Sequence, residues 1–416
     1  MGILGVIVLL GIAFAMSNNR SAISWKLVIW GLSLQFIFAI IILKSPIGIP
    51  FFSTIDIFIK NLLSFSDAGS DFLFKSFNNN IVEGPLMNFA FRILPTLIFF
   101  SSLITVLYHL GVMQFLVKNT ARIMQKTMGT SGSETLCISG NIFVGQTEAP
   151  LLVQPFVSTM TNSELTAVMI GGFATVAGGV MAMYVSMLGD VPGIAGHLLA
   201  ASIMSAPAAL VVAKIIYPET EESKTKGDLV ISIENNDDNI MEALSRGATN
   251  GMKLAANVAA MLIAFVAIIA MINALLGIFG FSLEQILGLI FSPLAWTMGV
   301  PWNEANLVGS LMGKKLVLTE LIAYGDLSSS ISNNLLSERS AIISSYALCG
   351  FANFASIGIQ LGGIGGIAPE RRKDISKLGV KTMFGGALAS WLTATIAGIL
   401  ISVSYTHLTL PTNREV

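Results

Sequence analysis

The feature that most constrains the fold of this chain is a series of apolar runs, each close to the roughly 20 residues that a helix needs to cross a bilayer. Backbone polar groups inside a bilayer must pair within the protein, so such runs predict transmembrane helices. About eight runs occur along the sequence, at 2–16, 27–43, 86–107, 165–188, 194–217, 253–279, 339–360 and 382–404. Met1 to Met16 has no basic residue before it and no small-residue cleavage site after it. We therefore interpret it as a retained span rather than a signal peptide.

Composition supports an all-α integral membrane protein. Hydrophobic residues make up 54% of the chain and charged residues only 11%, whereas soluble proteins carry about 25% charged residues. The formal net charge of −1 gives no electrostatic basis for binding nucleic acid. Cys137 and Cys349 lie far apart in apolar stretches, without a C-x-x-C motif or a nearby His. A disulfide framework or a zinc site is therefore not expected.

Other apolar segments are too short or too interrupted for simple spans. The segments 133–157, 283–300 and 305–330 are broken by Gly, Pro, Asn and Glu, which favours re-entrant or interfacial pieces. Two stretches have polar residues at helical spacing among apolar ones, which is typical of helices on the membrane surface. They are residues 51–64 and the helix carrying Gln114, Lys118, Arg122 and Lys126.

Charge is concentrated in one segment, since 11 of the 47 charged residues fall between Glu219 and Arg246. This pattern is typical of a solvated loop, which would join two halves of the chain. Basic residues at 20, 26 and 371–373 favour the cytoplasm for their loops, so eight spans would place both termini outside. Residues 404–416 abandon the apolar pattern. They are either a polar tail or a cloning or sequencing remnant.

An internal repeat is the most informative pattern in the sequence. Three short matches recur in the same order in both halves. They are Thr-Glu at 147–148 and 319–320, Ser-Glu at 163–164 and 337–338, and Gly-Phe-Ala at 172–174 and 350–352. Repeats with interrupted hydrophobic segments at matching places are typical of secondary transporters that bind substrate near the bilayer midplane. We expect each half to supply a hairpin with a Thr-Glu tip and a helix broken at Gly-Phe-Ala.

These tips and breaks are the predicted binding elements. Backbone groups at a helix break must be satisfied by protein, substrate, ion or water. Glu148 and Glu320 are ionisable groups in apolar surroundings, which costs a few kcal/mol for each group. The structural alternative is that they cap a broken helix or pair with Arg92.

Four motifs resemble the concentrative nucleoside transporter family. They are FAFRILPTLIFF at 89–100, GNIFVGQTEAP at 140–150, GVPWNEA at 299–305 and CGFAN at 349–353. The resemblance extends from residue 1 to about residue 403. It implies a homotrimer in the bacterial inner membrane, surrounded by lipid, in which scaffold helices hold a mobile transport domain. It also implies cation-driven uptake of nucleosides such as uridine, cytidine or adenosine by an elevator-like movement.

The resemblance also assigns roles to individual residues. The substrate set is Gln146, Thr147 and Glu148 for the nucleobase, Glu320, Asn353 and Ser356 for the ribose hydroxyls, and Phe351 and Val180 for the pocket wall. The cation set is Asn141, Val144, Thr175 and Val176, partly through main-chain carbonyl groups. One departure is Thr319-Glu320-Leu321, where the family usually has Asn-Glu-Phe. A threonine lacks the two-sided hydrogen-bonding capacity of the amide, so the surroundings of Glu320 differ from the family pattern.

Structural alternatives exist for several of these residues. Asn353 and Ser356 could serve only to satisfy an unwound backbone, and Thr175 could bond back to its own helix. Glu304 and Arg92 lie in family-like motifs, and we expect structural roles for both. The stretch GIGGIA at 363–368 matches a dinucleotide-binding pattern by letter. It follows a membrane helix rather than a strand, so we interpret it as a helix end.

The chemistry of these motifs favours nucleosides over nucleotides. A carboxylate with Asn and Ser suits vicinal hydroxyls, because charge-assisted hydrogen bonds are strong. These motifs contain no cluster of Arg or Lys residues that could bind phosphates. No H-E-x-x-H or G-x-S-x-G motif occurs, so a membrane enzyme using paired carboxylates is disfavoured. A channel would need rings of repeated polar residues around a pore, whereas the repeat predicts hairpins, so a channel is disfavoured as well. The choice between purines and pyrimidines stays open.

The coupling ion has two candidates. Sodium prefers several hard oxygen ligands, which Asn141 and Thr175 offer in their side chains and the unwound main chain offers as carbonyls. We therefore favour sodium. A proton is the alternative, and it would be carried by Glu148 or Glu320, because a desolvated carboxyl group can bind a proton near neutral pH.

We expect the chain to divide into seven segments. They are scaffold and interfacial helices (1–130), the first repeat with the following helix (131–217), the charged loop (218–250), a helix with a connecting segment (251–300), the second repeat (301–368), the final helix (369–403) and the tail (404–416).

Overall fold

Helices form all the regular structure in the residues that the computed structural model describes, which are 2–46, 48–60, 94–189, 191–225 and 237–401. The first half contains α1 Gly2–Ala15, α2 Trp25–Leu43, α3 Leu94–His109, α4 Val112–Met128, α5 Gly132–Asn141, α6 Gln154–Val157, α7 Asn162–Ala174, α8 Gly178–Met187 and α9 Ile194–Ile216. The second half contains α10 Ile240–Gly277, α11 Leu283–Thr297, α12 Trp302–Val317, α13 Glu320–Ser332, α14 Glu338–Leu348, α15 Phe354–Ile367 and α16 Arg372–Leu400. Residues 48–60 are also helical. The predicted all-α fold is confirmed.

Four of the described helical stretches are long and apolar enough to cross a membrane. They are Trp25–Leu43, Asn162–Met187, Ile194–Ile216 and Pro369–Leu400. Two bent pairs, α3 with α4 at 76° and α11 with α12 at 118°, raise the number to six if each pair counts as one span. The apolar helices α1 and α15 are shorter. The predicted span at 86–107 begins outside the described residues, and the predicted surface helix at 51–64 ends outside them. Arg92 and the tail at 404–416 also lie outside the described residues.

The centre of the fold consists of α7, α9 and α16, which are largely buried. Glycines allow α16 and α7 to approach closely, as small residues do in membrane helix pairs. A Cβ atom at Gly386 would lie 2.2 Å from the Cβ of Phe173, and one at Gly385 would lie 2.5 Å from the Cδ1 of Ile170. Larger residues at either position would force these two helices apart.

Exposed apolar side chains cover other helices on the outside. Ile3 on α1, Leu289 on α11, and Ile278 and Phe279 after α10 are all more than 70% exposed. An apolar exterior of this kind suits lipid rather than water. This distribution agrees with the predicted membrane protein.

The predicted charged loop is shorter than expected. Helix α10 begins at Ile240, so the part of the predicted 218–250 loop from this residue onward is helical. Asn239 caps this helix, because its side-chain oxygen accepts a hydrogen bond from the backbone N–H of Glu242 at 3.0 Å. A good N-cap followed by an acidic first turn stabilises a helix start outside the membrane. Residues 226–236 of the predicted loop lie outside the described residues.

Both halves contain the same order of elements: helix, tip, second arm, helix, break and helix. The Thr-Glu matches lie at equivalent tips, but the other two matches are displaced from equivalent positions. Thr161 and Ser337 are the N-caps of α7 and α14, so Ser163 lies inside its helix whereas Ser337 precedes its own. Likewise, Gly-Phe-Ala at 172–174 ends α7, whereas the same letters at 350–352 lie in a break. The repeat is therefore looser in register than the letters indicate.

Candidate functional site

The candidate site is built from two hairpin tips and two helix breaks. Tip 1 (142–148) follows α5, and tip 2 (318–319) joins α12 to α13. Break 1 (175–177) separates α7 from α8, and break 2 (349–353) separates α14 from α15. Each tip contacts the break of its own half. The backbone N–H of Gly178 donates to the carbonyl of Phe143 at 3.0 Å, and the side chain of Asn353 donates to Glu320 at 2.7 Å.

At tip 2, Glu320 is buried and both of its carboxylate oxygens accept hydrogen bonds. Oε1 accepts from the Tyr184 hydroxyl at 2.9 Å, and Oε2 accepts from Nδ2 of Asn353 at 2.7 Å. A carboxylate removed from water needs such donors, since burying an unpaired charge is strongly unfavourable. Glu320 is therefore held between α8 of the first half and break 2 of the second.

Two fully buried tyrosines form the wall beside this carboxylate. The rings of Tyr184 and Tyr324 are stacked, with their centroids 4.1 Å apart and their planes at 22°. The hydroxyl of Tyr324 donates to the carbonyl of Ser345 at 2.7 Å. Val180, predicted to line the pocket, is buried on α8 one turn before Tyr184 and so shares its helix face. Phe351 is half-buried in break 2.

Break 2 ends at an asparagine with two tasks. The side-chain oxygen of Asn353 accepts from the backbone N–H of Ser356 at 2.9 Å, which caps α15. Its amide nitrogen is the donor to Glu320. Asn353 therefore satisfies the backbone at the helix break, as the structural alternative proposed, and it also contacts Glu320. Ser356 and Gln360 follow on the same face of α15, and both are buried.

Tip 1 contacts the same helix farther along. The side-chain oxygen of Gln146 accepts from Nε2 of Gln360 at 3.0 Å, and this nitrogen also donates to the carbonyl of Met169 at 3.0 Å. A Cβ atom at Gly363 would lie 2.7 Å from Cγ2 of Thr147. Helix α15 therefore joins the two tips, through Asn353 to tip 2 and through Gln360 to tip 1.

Glu148 has different surroundings from Glu320. It is exposed, and its Oε2 accepts from the backbone N–H of Gly145 at 2.6 Å. The prediction of apolar surroundings is therefore wrong for Glu148, whose side chain folds back on its own tip and keeps contact with the exterior. A Cβ atom at Gly145 would lie 2.8 Å from the same oxygen. A larger residue at Gly145 would therefore have to displace this carboxylate.

The predicted cation set lies where α5 ends and break 1 begins. Asn141 is 1% exposed, and neither its side-chain oxygen nor its nitrogen has a hydrogen-bond partner among the described residues. Unpaired polar atoms are costly inside a protein, so this amide is suited to a ligand. Val144, Thr175 and Val176 are buried as well. The Thr175 hydroxyl donates to the carbonyl of Gly171 at 2.9 Å, which leaves its oxygen lone pairs able to accept a cation.

Glu304 has the structural role that the sequence predicts. Its Oε2 accepts from the backbone N–H of Ser337 at 3.2 Å and from the Ser337 hydroxyl at 2.9 Å. This contact ties the first turn of α12 to the start of α14.

Tyr184 and Gln360 are site residues that the sequence reasoning missed. Each lies in a mostly apolar helix, and its partner lies far away in sequence, 136 residues for Tyr184 and 214 for Gln360. The available signal was their spacing. Tyr184 lies four residues after Val180, and Gln360 lies four residues after Ser356, so each shares a helix face with a predicted site residue.

Comparison with protein families matches three parts of the chain. Residues 4–77 match the family described as "Na+ dependent nucleoside transporter N-terminus", and residues 197–398 match "Na+ dependent nucleoside transporter C-terminus". Residues 90–191, which include tip 1 and break 1, match a family described as "Nucleoside recognition".

Individual proteins are similar over nearly the whole chain. An uncharacterized transporter of Haemophilus influenzae is 43% identical over 416 residues, covering 96% of this chain and 97% of the relative. Sodium/nucleoside cotransporter 1 of Homo sapiens is 42% identical over 95% of this chain. The chain spans 63% of that relative's length, and 60% of solute carrier family 28 member 3 of Eptatretus stoutii.

A solved structure of similar fold is that of CNTnw in an inward-facing substrate-bound state. It is 42% identical, with a TM-score of 0.89, and the match covers 97% of this chain and 98% of the other. An outward-facing structure of a CNTnw variant gives a TM-score of 0.87 at 41% identity, with 96% of this chain and 97% of the other covered.

Proposed function

The chain belongs to the Na+ dependent nucleoside transporter family, whose members are membrane transporters and not enzymes, and we propose that it takes up nucleosides in symport with sodium. The substrates are nucleosides such as uridine, cytidine or adenosine. The protein acts as a homotrimer in the bacterial inner membrane, where each subunit carries its own site.

The observation that carries this proposal is the buried polar face of α15. Asn353, Ser356 and Gln360 lie along it, and Asn353 and Gln360 are about 10 Å apart along the axis at 1.5 Å per residue. One end contacts Glu320 and the other contacts Gln146. A ligand bound along this face meets a carboxylate at one end and an amide at the other. A nucleoside has the matching form, with a hydroxylated sugar joined to a base.

Each end suits one part of a nucleoside. At tip 2, the carboxylate of Glu320 accepts hydrogen bonds from ribose hydroxyls, with Asn353 and Ser356 as further polar partners. At tip 1, Gln146, Thr147 and Glu148 face the edge of the base directly or through water. Phe351 and Val180 pack against the substrate. Tips 1 and 2 and both breaks contain no Lys or Arg. Lys315, which contacts break 2, directs its three N–H donors at protein oxygens, so no basic group is available to neutralise the phosphates of a nucleotide.

Sodium binds at the junction of tip 1 and break 1. Asn141 supplies its unpaired amide oxygen, Thr175 its hydroxyl, and Val144 and Val176 their main-chain carbonyls. Hard oxygen ligands of this kind suit sodium, and half-helix ends are used for cations in other transporters. The contact between Phe143 and Gly178 couples this junction to tip 1, so sodium binding orders the tip that holds the base.

Alternating access follows from movement of the tips and breaks as one body. The hydrogen bonds between tip 2 and α8, and between tip 1 and α15, tie both halves together. A substrate held between the halves travels with them in an elevator-like movement against the scaffold helices. Structures of CNTnw and its variants in inward-facing, outward-facing and intermediate states support such a movement for that relative.

Uptake into liposomes tests the proposal directly. Purified protein should accumulate labelled uridine above the external concentration under an inward sodium gradient, with saturation, and this uptake should collapse when choline replaces sodium at fixed pH. Uptake that persists in choline and follows an imposed pH gradient would make the proton the coupling ion. Equilibration without accumulation would contradict symport altogether.

The sugar assignment has its own test in Glu320→Gln. The amide turns one acceptor into a donor, so uridine should lose more uptake than its 2′,3′-dideoxy analogue. Glu338→Gln is the matched control, because Glu338 is also the first residue of a helix but is exposed. Equal losses for the two substrates would remove Glu320 from the sugar.

A further inference from the structure

Lys315, near the end of α12, is a fully buried basic side chain that the proposed transport mechanism does not use. Its Nζ atom donates to three oxygens: the carbonyls of Ala347 and Cys349, both at 2.9 Å, and the hydroxyl of Ser390 at 2.7 Å. No carboxylate of a described residue lies within ion-pair distance of it. The hydrogen-bond partners of Nζ are therefore neutral oxygens, and the buried carboxylate of Glu320 acts on the charge only electrostatically, from beyond ion-pair distance.

The hydrogen bonds of this side chain suit an ammonium ion. Ser390 uses its only proton to donate to the carbonyl of Ala387 at 3.0 Å, so toward Lys315 it can only accept. All three partners of Nζ are then acceptors. An ammonium group has three N–H donors, whereas a neutral amine has two and would leave one acceptor unpaired.

The two carbonyls belong to the unwound end of a helix. Helix α14 ends at Leu348 and break 2 follows, so Ala347 and Cys349 present main-chain oxygens that continuing helix would have paired. The C-terminal end of a helix also carries a partial negative charge that attracts cations. The ammonium group of Lys315 donates hydrogen bonds to both carbonyls, and its positive charge complements the partial negative charge of the helix end.

Break 1 has the same construction without a basic side chain. Helix α7 ends at Ala174 and break 1 follows. Counting from the tip threonines, Lys315 lies four residues before Thr319, and the residue four before Thr147 is Phe143. The polar group beside break 1 is instead the neutral Asn141, whose side-chain atoms are unpaired.

We propose that break 2 is a monovalent-cation site which the ammonium group of Lys315 occupies permanently, so that a mobile cation is needed only at break 1. The second part rests on the proposed sodium site. The first part rests only on the three oxygens around Nζ of Lys315, from Ala347, Cys349 and Ser390, which we call the cage. A tethered ammonium fills the place that an ion from solution fills in the other half, and it fixes the number of mobile cations at the breaks at one.

Substitutions that remove the ammonium group of Lys315 test whether the cage binds a cation. Lys315→Ala removes the ammonium and leaves space for a small cation, whereas Lys315→Met fills the same space with a neutral chain. Both variants are made in the full chain, alone and with Asn141→Ala, which removes the proposed sodium ligand. The unfolding temperature of each purified protein is measured in choline, sodium, potassium and methylammonium chloride at equal ionic strength.

Lys315→Ala should unfold at a lower temperature than the wild type in choline and regain about 5 °C in saturating potassium or methylammonium. The regain should persist in the Asn141→Ala background, and Lys315→Met should show none. A Lys315→Ala protein that responds to no small cation beyond its choline value would overturn the proposal. So would a Lys315→Met protein as stable as the wild type.

Two outcomes separate this proposal from the proposed function. Loss of the sodium response in Asn141→Ala with a retained cation response in Lys315→Ala supports both sites independently. A sodium response unchanged by Asn141→Ala contradicts the proposed sodium site but leaves the cage intact. If neither neutral variant accumulates in membranes, Lys315→Arg decides. Wild-type accumulation supports a requirement for positive charge, and failure equal to that of Lys315→Met overturns it.

Discussion

Hairpin 1 consists of α5, tip 1 and the arm that ends with α6 at Val157. It is polar and buried both at its base, where α5 begins, and at its tip end, where α5 ends, but the polar groups at the two ends are paired differently. At the base, Glu134 forms an ion pair with Lys214 at 2.7 Å, and the two side chains are 2% and 5% exposed. At the tip, Asn141 is equally buried and has no partner for either side-chain atom among the described residues. Burial of a polar group therefore does not identify a binding residue. The unpaired amide of Asn141 is what distinguishes the tip from the base, because native proteins pair most of their buried polar groups and each exception calls for an explanation, such as a bound ion.

The charged groups at the base have partners because several helix ends meet there. Lys214 near the end of α9 also donates to the hydroxyl of Ser163 at 2.8 Å. Glu164 accepts from the backbone N–H of Thr161 at 2.8 Å and from the hydroxyl of Ser223 at 2.6 Å. The network joins the first turn of α7 to the end of α9 and to the segment after it. It anchors hairpin 1 and leaves no atom for a substrate.

The largest expected effect is at this base. Lys214→Met leaves the carboxylate of Glu134 buried without its counter-ion, and breaking a buried pair from one side costs about 3–5 kcal/mol. The free energy of unfolding in detergent should fall by this amount. Lys118→Met on the exposed face of α4 is the control, with an expected change within about 0.5 kcal/mol. A small loss at Lys214 would remove the distinction between base and tip.

The helices and the tips could be predicted from the sequence because they depend on local patterns. Apolar length predicted α2, α9 and α16, and the Gly-Phe-Ala matches predicted a break in each half, although the first break follows its match, at 175–177. The start of α10 was misplaced because a capped helix extends beyond the apolar run that reveals it. Matching letters placed the Ser-Glu and Gly-Phe-Ala pairs in one register, whereas N-caps and helix ends, which depend on hydrogen bonds, place them in another.

The candidate site could be predicted only where a motif carries it. Gln146 and Glu320 lie in motifs, and the structure gives them buried polar partners. The partners themselves could not be predicted, because the contact of Tyr184 with Glu320 is made by packing between distant helices rather than by sequence spacing. Lys315 is similar. Two of its three partners are main-chain carbonyls, which cannot be recognised from the identity of a residue, and the third, Ser390, lies 75 residues away.

The next effect concerns tip 2, where a stacked pair of tyrosines offers an internal control. Tyr184→Phe removes a hydrogen bond to a buried carboxylate, and such bonds contribute about 1.5–3 kcal/mol. Stability should fall by this amount, and uridine uptake should fall with it, because Glu320 loses one of its two donors. Tyr324→Phe removes only a bond to the neutral carbonyl of Ser345 and should leave substrate preference unchanged. Identical uptake profiles for the two variants would make Glu320 structural.

A smaller effect is expected where α15 meets tip 1. Gln360→Leu removes two hydrogen bonds, to Gln146 and to the carbonyl of Met169, at a cost of about 1–2 kcal/mol. The informative measurement is the ranking of uridine, cytidine and adenosine in competition for uptake. Without the hydrogen bond from Gln360, the side-chain amide of Gln146 can flip and exchange the positions of its oxygen and nitrogen. The ranking of the nucleosides should therefore change more than the maximal rate of uptake. Gln154→Leu, at an exposed position, should leave the ranking as it is.

The smallest effect on stability is expected at Asn141, and it makes the sharpest contrast with Lys214. Asn141→Leu replaces an unpaired amide with an apolar group of similar size, and such a change can be nearly neutral or stabilising. In choline the free energy of unfolding should therefore stay within about 1 kcal/mol of the wild type. In sodium the wild type should gain stability by ligand linkage, and the variant should gain none.

Unchanged stability in choline, together with loss of the stabilisation by sodium, distinguishes an amide that binds a cation from an amide with a structural role. A structural amide would lower stability equally in both salts when replaced. A large loss in choline would show that Asn141 has partners in the folded protein, and the tip would then resemble the base. A sodium response equal to that of the wild type would instead keep the tip as a polar site and move the cation elsewhere. Asn162→Leu, at the first residue of α7, is the structural contrast, because its Oδ1 accepts from Arg371 at 3.1 Å and its replacement should lower stability equally in both salts.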